Sequence, residues 1–109
     1  MKEWRRKLKI KTIMHTMKGE CYLCGKQGYT HLHHIFDGPN RKWSTKYGLM
    51  VYLCVDCHNV PPNGVHYNIQ RMRSLQAAGQ KQFEKQIGSR ELFMKIFGRN
   101  YIDDEGRTG

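Results

Sequence analysis

Cys21-Tyr22-Leu23-Cys24, Tyr29-Thr30-His31-Leu32-His33-His34-Ile35-Phe36 and Leu53-Cys54-Val55-Asp56-Cys57-His58-Asn59 are the stretches that decide the fold of this chain. They hold two Cys-x2-Cys pairs with 29 residues between them (25 to 53). At two-residue spacing a tight turn aims both thiolates of a pair at one ion, and two such knuckles complete a tetrahedral four-cysteine zinc site. Gly25, directly after the first pair, supplies the backbone freedom such a turn needs. Two disulfides in a secreted protein would use the same residues, and a redox Cys-x2-Cys would explain one pair but not both. The basic residues 1 to 8 are followed by no apolar stretch, so no signal peptide is expected. In a reducing cytoplasm, metal is favoured over disulfide.

Compact modules of this kind leave about 12 to 20 residues between pairs. The longer span here contains most of the polar chemistry of the chain, so zinc is expected to clamp a working segment. Residues 29 to 36 are rich in aromatic and β-favouring types and stop at Asp37-Gly38-Pro39, which predicts a strand ending in a turn. Leu49-Met50-Val51-Tyr52-Leu53 reads as the returning strand of an irregular hairpin, and residues 55 to 60 as a short helix ended by Pro61-Pro62-Asn63-Gly64. The predicted order is strand, loop, strand, helix, with cysteines at both ends.

The surrounding chain sets limits on this core. With 109 residues it is one small domain, and no apolar run approaches the roughly 20 residues that a bilayer requires. Nineteen Lys and Arg against nine Asp and Glu give a net charge of +10. The pI is about 9.7 and the mean hydropathy is -0.75. Such a balance fits a polyanionic partner, most often nucleic acid. Residues 1 to 18 read as a basic arm, with six basic residues and one acid from Lys2 to Lys11. Residues 19 to 101 read as the domain, and 102 to 109 as a flexible tail. His15, isolated in the basic stretch, is expected to be solvated.

In that order, Cys21-x2-Cys24, His33-His34-Ile35 and Leu53-Cys54-x2-Cys57-His58-Asn59 resemble the HNH endonucleases in their zinc-knuckle form. More narrowly, the chain is similar to small phage-encoded HNH-like proteins. The likeness runs through Asn40-Arg41-Lys42 to Lys46-Tyr47-Gly48-Leu49, then Gly64-Val65-His66-Tyr67-Asn68, and then Ile96-Phe97-Gly98-Arg99-Asn100-Tyr101, covering residues 20 to 101. The resemblance implies an α+β fold: a small ββα-metal (His-Me finger) motif clamped by a structural Zn²⁺ on Cys21, Cys24, Cys54 and Cys57, with C-terminal helices packed around it.

It also implies a metal-dependent endonuclease of phage or prophage origin, hydrolysing DNA with low sequence specificity in the cytoplasm of an infected or lysogenic bacterial host. His34 would be the general base, a role that suits an imidazole near its unperturbed pKa of about 6.5. His33 and His58 would be ligands of a catalytic divalent metal, leaving products with 5′-phosphate and 3′-hydroxyl ends. His66 is either a third ligand, as in related nucleases, or a surface or capping histidine.

Strand geometry constrains these roles. In a regular strand His33 and His34 point to opposite faces, and they converge on one phosphate only if the strand ends or bulges there. If it runs on regularly, His31 and His33 share a face and form the second candidate pair.

The chain departs from the family pattern twice. An Asp often stands where His33 is, and an imidazole-rich site leaves the metal open among Mg²⁺, Mn²⁺, Ni²⁺ and Zn²⁺. The middle Asn of the motif is also missing, Lys46-Tyr47-Gly48 occupying that region, and Asn40 is the nearby substitute. The alternative function is therefore a non-catalytic zinc-stabilised module that keeps the fold and binds DNA or a protein, such as a phage inhibitor of host machinery. A plain basic zinc ribbon in an RNA context has no need of three histidines between and beside its knuckles.

Arg41, Lys42 and Lys46, with Trp43 and Tyr47 among them, are predicted DNA-backbone contacts in the loop between the strands. Tyr47 is expected to fill the core. After Gly64 the chain reads as helical, with Ile69, Met72, Leu75, Phe83 and Ile87 at helical spacing and Gly79 as a break or bend. Ser89 reads as an N-cap, Leu92, Phe93, Ile96 and Phe97 as one apolar face, and Gly98 as the stop.

Overall fold

Strand β1 (His31–His34) and strand β2 (Met50–Leu53) pair antiparallel, with His31 opposite Leu53, Leu32 opposite Tyr52, His33 opposite Val51 and His34 opposite Met50. The computed structural model describes residues 11–102. Among these the sheet has two strands, and around it lie helices α1 (Arg41–Tyr47), α2 (Val55–Asn59), α3 (Ile69–Gln86) and α4 (Arg90–Phe97). The architecture is α+β. A two-stranded hairpin is marginal by itself in water, so its inner face must be covered. Buried Phe36, Leu49, Val51, Leu53, Val65, Leu75, Phe83, Phe93 and Phe97 do this in one cluster. Among the described residues no helix is long and apolar enough to cross a membrane.

The segment between the strands, expected as a loop, is largely helical. A 3-10 turn at Gly38–Asn40 leads into α1, and Gly48 ends it in the left-handed region at φ 73. Trp43 and Tyr47 are one turn apart and pack on the core, while Arg41, Lys42 and Lys46 are exposed. Ser44, fully buried, accepts from Phe36 N at 3.0 Å and donates to Phe36 O at 2.8 Å. That pair of hydrogen bonds fixes α1 to the chain just beyond β1. Tyr47 meets Phe83 edge-on, at 5.5 Å between ring centroids, which bears out its core role.

Gly79 does not break the third helix. α3 runs uninterrupted for 18 residues from an Asn68 cap whose side chain accepts from Arg71 N. Gly79 faces inward, where a Cβ would lie 3.2 Å from Phe36 Cε2 and 3.3 Å from Ile35 Cδ1. Here the missing side chain leaves room for α3 against the end of β1, and a glycine inside a helix costs only about 1 kcal/mol. The apolar stripe also shifts: Leu75, Ala77, Gln80 and Phe83 are buried, whereas Ile69 is 57% exposed and Ile87 lies at the surface. Buried Gln80 is satisfied by Glu84, Asn100 and the backbone N–H of Tyr101.

Ser89 caps α4 by accepting from Leu92 N, and Gly98 ends it at φ 93, both as predicted. Phe93 and Phe97 are buried and Ile96 packs beside them, but Leu92 is exposed. Residues 1 to 10 of the basic arm and 103 to 109 of the tail lie outside the described residues. The remainder of the predicted arm belongs to the domain. Thr12 donates to Met50 O at 2.6 Å, Ile13 N donates to Gly48 O, Met14 is buried, and Thr16 accepts from Tyr52 N. His15 is exposed, as expected.

Candidate metal centres

The four cysteines arrive from both ends of the hairpin. Cys21 and Cys24 lie on a turn closed by Gly25 N donating to Cys21 O at 2.9 Å, with Gly25 at φ 79. Cys54 directly follows β2 and caps α2, its sulfur accepting from Cys57 N at 3.5 Å. All four sulfurs lie within 4.8 Å of one another, and Cys24 Sγ stands 3.8 Å from Cys54 Sγ. A disulfide would bring sulfurs to about 2.05 Å, whereas a tetrahedron of Zn–S bonds of about 2.3 Å has edges of about 3.8 Å. The cysteines are free, and the quartet is spaced to hold a structural metal such as zinc.

The electrostatics agree with that use. Burial pushes the Cys21 thiol up, but backbone N–H groups of Cys54, Cys24 and Leu23 outweigh it and hold the pKa at about 6. Burial and the neighbouring sulfurs push Cys57 up to about 12. The Cys21 thiolate forms readily, and that of Cys57 is favoured by a cation beside it. Arg71 of α3 contributes a fixed positive charge, its Nη2 donating to Cys57 Sγ at 3.6 Å and its Nη1 to Asn63 O at 3.1 Å.

Next to the thiols is a second group. Ligand nitrogens of His33, His58 and His66 all lie within 4.8 Å of one another. His33 projects from β1 and is 4% exposed. α2 sets Cys57 and His58 side by side in sequence, with one turned to the sulfurs and the other to His33 and His66. His58 Nε2 and His66 Nε2 are 3.1 Å apart, close to the edge of about 3.3 Å that a tetrahedron of metal–nitrogen bonds of about 2.0–2.1 Å would have. Burial first, then the charges that His58, His66 and His34 would carry, push the His33 pKa down to about 3. Burial, then His66 and His31, also lower His58, against the opposing pull of Asp37. Neutral imidazoles are the form that binds a metal.

His66 is brought in by a loop that depends on Gly64. Val65 N donates to Cys57 O at 2.8 Å and His66 N to His58 O at 3.3 Å, folding the loop onto α2. A Cβ on Gly64 would lie 2.6 Å from Val60 N and 2.9 Å from Asn59 Cα, both backbone atoms. Gly64→Ala is therefore expected to push the loop off α2, costing about 1–3 kcal/mol of stability and lowering divalent-metal affinity at the histidines at least tenfold. Isothermal titration of the zinc-loaded protein measures this, and unchanged affinity would disprove the dependence.

Of the predicted site residues, Cys21, Cys24, Cys54 and Cys57 come together, as do His33, His58 and His66. His34 is not part of either group. Strand alternation turns it away from His33, and its Nε2 meets Thr45 Oγ1 at 3.0 Å. Burial, followed by the charge of Arg41, lowers its pKa, opposed by Asp37. Asn40, the candidate for the missing middle Asn, is engaged elsewhere, donating from Nδ2 to Phe97 O at 3.1 Å. Lys42 and Lys46 place their ammonium groups over the Trp43 ring, 4.9 and 5.6 Å from its centroid.

Two residues in these networks were not predicted in the roles they take. Thr45, the partner of His34, gives no signal in the sequence. His31 does, through its i, i+2 relation to His33: the two share a face, and His31 Nδ1 lies 2.9 Å from His58 Nδ1. No protein-family model, curated protein or solved structure matches the chain.

Proposed function

We propose that this protein is a metal-dependent endonuclease of the HNH, ββα-metal type, hydrolysing phosphodiester bonds of DNA. The observation that carries the reading is the His33, His58 and His66 cluster, a three-nitrogen ligand set distinct from the four thiols. Three protein ligands with open positions beside them are the arrangement of a catalytic rather than a structural site. A divalent ion held there would act as a Lewis acid on the phosphate and the departing oxygen.

The chain's own residues supply the proton chemistry. Thr45 Oγ1 donates its hydrogen to Arg41 O at 3.3 Å, so toward His34 Nε2 it acts as acceptor. In this reading His34 Nε2 carries the proton and Nδ1 keeps the lone pair that takes a proton from water. β1 ends at His34, the condition under which a base turned from His33 can still serve a phosphate reaching round the strand end to the trio. Thr45 thereby does the orienting work that the family gives to its middle Asn. Arg41, Lys42 and Lys46 are exposed on α1, and the charge of Arg41 reaches His34. They are suited to neutralise backbone phosphates without reading bases, in keeping with the +10 charge.

Supercoiled plasmid incubated with protein carrying zinc on its thiols alone, then with Mg²⁺, Mn²⁺, Ni²⁺ or further Zn²⁺ added, tests this. Nicking is expected only with added metal. His34→Ala should slow it about 10²–10⁴-fold and Thr45→Val more mildly, both retaining DNA binding. Absence of cleavage with every metal, with DNA binding intact, would instead favour a non-catalytic DNA-binding module.

A further inference from the structure

We infer that His31 is a positioning residue for the histidine metal centre, holding the ring of His58 through its Nδ1 so that His58 Nε2 faces the ion. This rests on the reading of His33, His58 and His66 as ligands. Both nitrogens of His58 are engaged: Nε2 lies 3.1 Å from His66 Nε2, and Nδ1 lies 2.9 Å from His31 Nδ1. A neutral imidazole has one N–H. If Nε2 gives its lone pair to a metal, the proton resides on Nδ1 and is donated to His31 Nδ1. His31 must then carry its own proton on Nε2. The tautomers of both rings follow from this one contact.

The fold makes such a brace useful. His58 sits in the last turn of α2, a helix of five residues whose backbone restrains a side chain weakly. His31 is better anchored, opposite Leu53 in the sheet and edge-on to Tyr29 at 5.2 Å between ring centroids. Its ring stands at 75° to that of His58, with centroids 5.0 Å apart. His31 is not itself in the group whose nitrogens converge. Metal-ligating histidines usually donate their second N–H to such a partner, and losing that partner typically weakens metal binding about 10–100-fold.

The test uses the full chain with its cysteines zinc-loaded, titrated calorimetrically with Ni²⁺ and separately with Zn²⁺. Wild type is expected to take up one further equivalent, which His66→Ala abolishes. His31→Ala should weaken that uptake about 10–100-fold with little change in the melting temperature of the zinc-loaded protein before the second metal is added. His31→Asn should restore most of the affinity, because its carboxamide oxygen stands as many bonds from Cβ as Nδ1 does. His31→Gln sets the oxygen one bond further and should not. In the Zn²⁺-loaded wild type, imidazole ¹⁵N shifts should show the proton of His58 on Nδ1.

Wild-type affinity in His31→Ala, or no recovery in His31→Asn, would overturn the assignment of His31 and leave the metal centre standing. No second equivalent in the wild type would overturn the centre and His31 together.

Discussion

Substituting Cys54 by Ser, or stripping metal from the thiols with excess chelator under reducing conditions, is expected to abolish cooperative folding. The strands have four residues each, and the two cysteine pairs grip the segments just before β1 and just after β2. A hairpin of that size does not hold its register without support. Structural zinc in small domains contributes roughly 10–16 kcal/mol of apparent binding free energy, comparable to the roughly 5–15 kcal/mol total stability of an ordinary domain. The loss should reach α3 as well, because Arg71 spans from that helix to Cys57. Near-ultraviolet circular dichroism and amide dispersion in NMR should collapse together and return on zinc addition. A chelated protein that melts cooperatively at its original temperature would show that the quartet clamps nothing.

Phe36→Ala is expected to have the largest effect of any core substitution that leaves the cysteines intact. Phe36 is fully buried, with ring centroids of Phe97, Tyr101 and Phe93 at 4.7, 4.9 and 5.4 Å. Gly79 has no side chain with which to fill the void, and its neighbours are held in a continuous helix. The cost should be about 3–5 kcal/mol. Urea unfolding of the zinc-loaded protein should show a lower midpoint with unchanged slope. Exposed Met94→Ala, within about 0.5 kcal/mol of wild type, serves as control. The effect should extend to the proposed chemistry. Phe36 is bonded through its backbone to Ser44, and Ser44 precedes Thr45, the partner of His34. Collapse around Phe36 would move α1 relative to β1 and pull Thr45 from His34. A Phe36→Ala loss under about 1 kcal/mol would mean that the aromatic cluster repacks freely.

The metal proposals differ in what they demand of the chain. The quartet needs only that two tight turns meet, and local sequence dictates each turn. The histidine trio needs β1, α2 and the loop after Gly64 to meet within a few ångströms. Errors in any of the three displace a ligand. For that reason Gly64→Ala and His31→Ala should affect the trio while sparing the thiols. This difference separates the two centres experimentally.

Several features were legible in the residues alone. The paired cysteines predicted a metal quartet, because two-residue spacing is a local geometric property. Both strands, the short helix after Cys54, the Ser89 cap and the Gly98 stop were likewise carried by neighbouring residues. Alternation along β1 was legible too, and it set His31 and His33 on one face. What failed was each reading in which a contact far along the chain outweighs local preference. α1 has no acidic first turn and no side-chain cap, so its sequence reads as a loop; the clasp of Ser44 on Phe36 and the packing of Trp43 and Tyr47 stabilise it as helix. Gly79 reads as a breaker because glycine is a poor helix former, yet it packs against Ile35 and Phe36, where a Cβ would be crowded at 3.2–3.3 Å.

The sequence by itself determined that a small basic α+β domain would bring four thiols to one point, with histidines between and beside them. The residues and their family resemblance already named His33, His58 and His66 as one candidate ligand set, and they do converge. Only the tertiary structure decided that His31 meets His58 and that His34 stands apart. His31 and His58 are 27 positions apart in the chain, and nothing local to either specifies the other. Their approach depends on strand register and on α2 folding back over β1, both products of the packed core. The same holds for His34, which joins neither group and finds Thr45 only because α1 is helical.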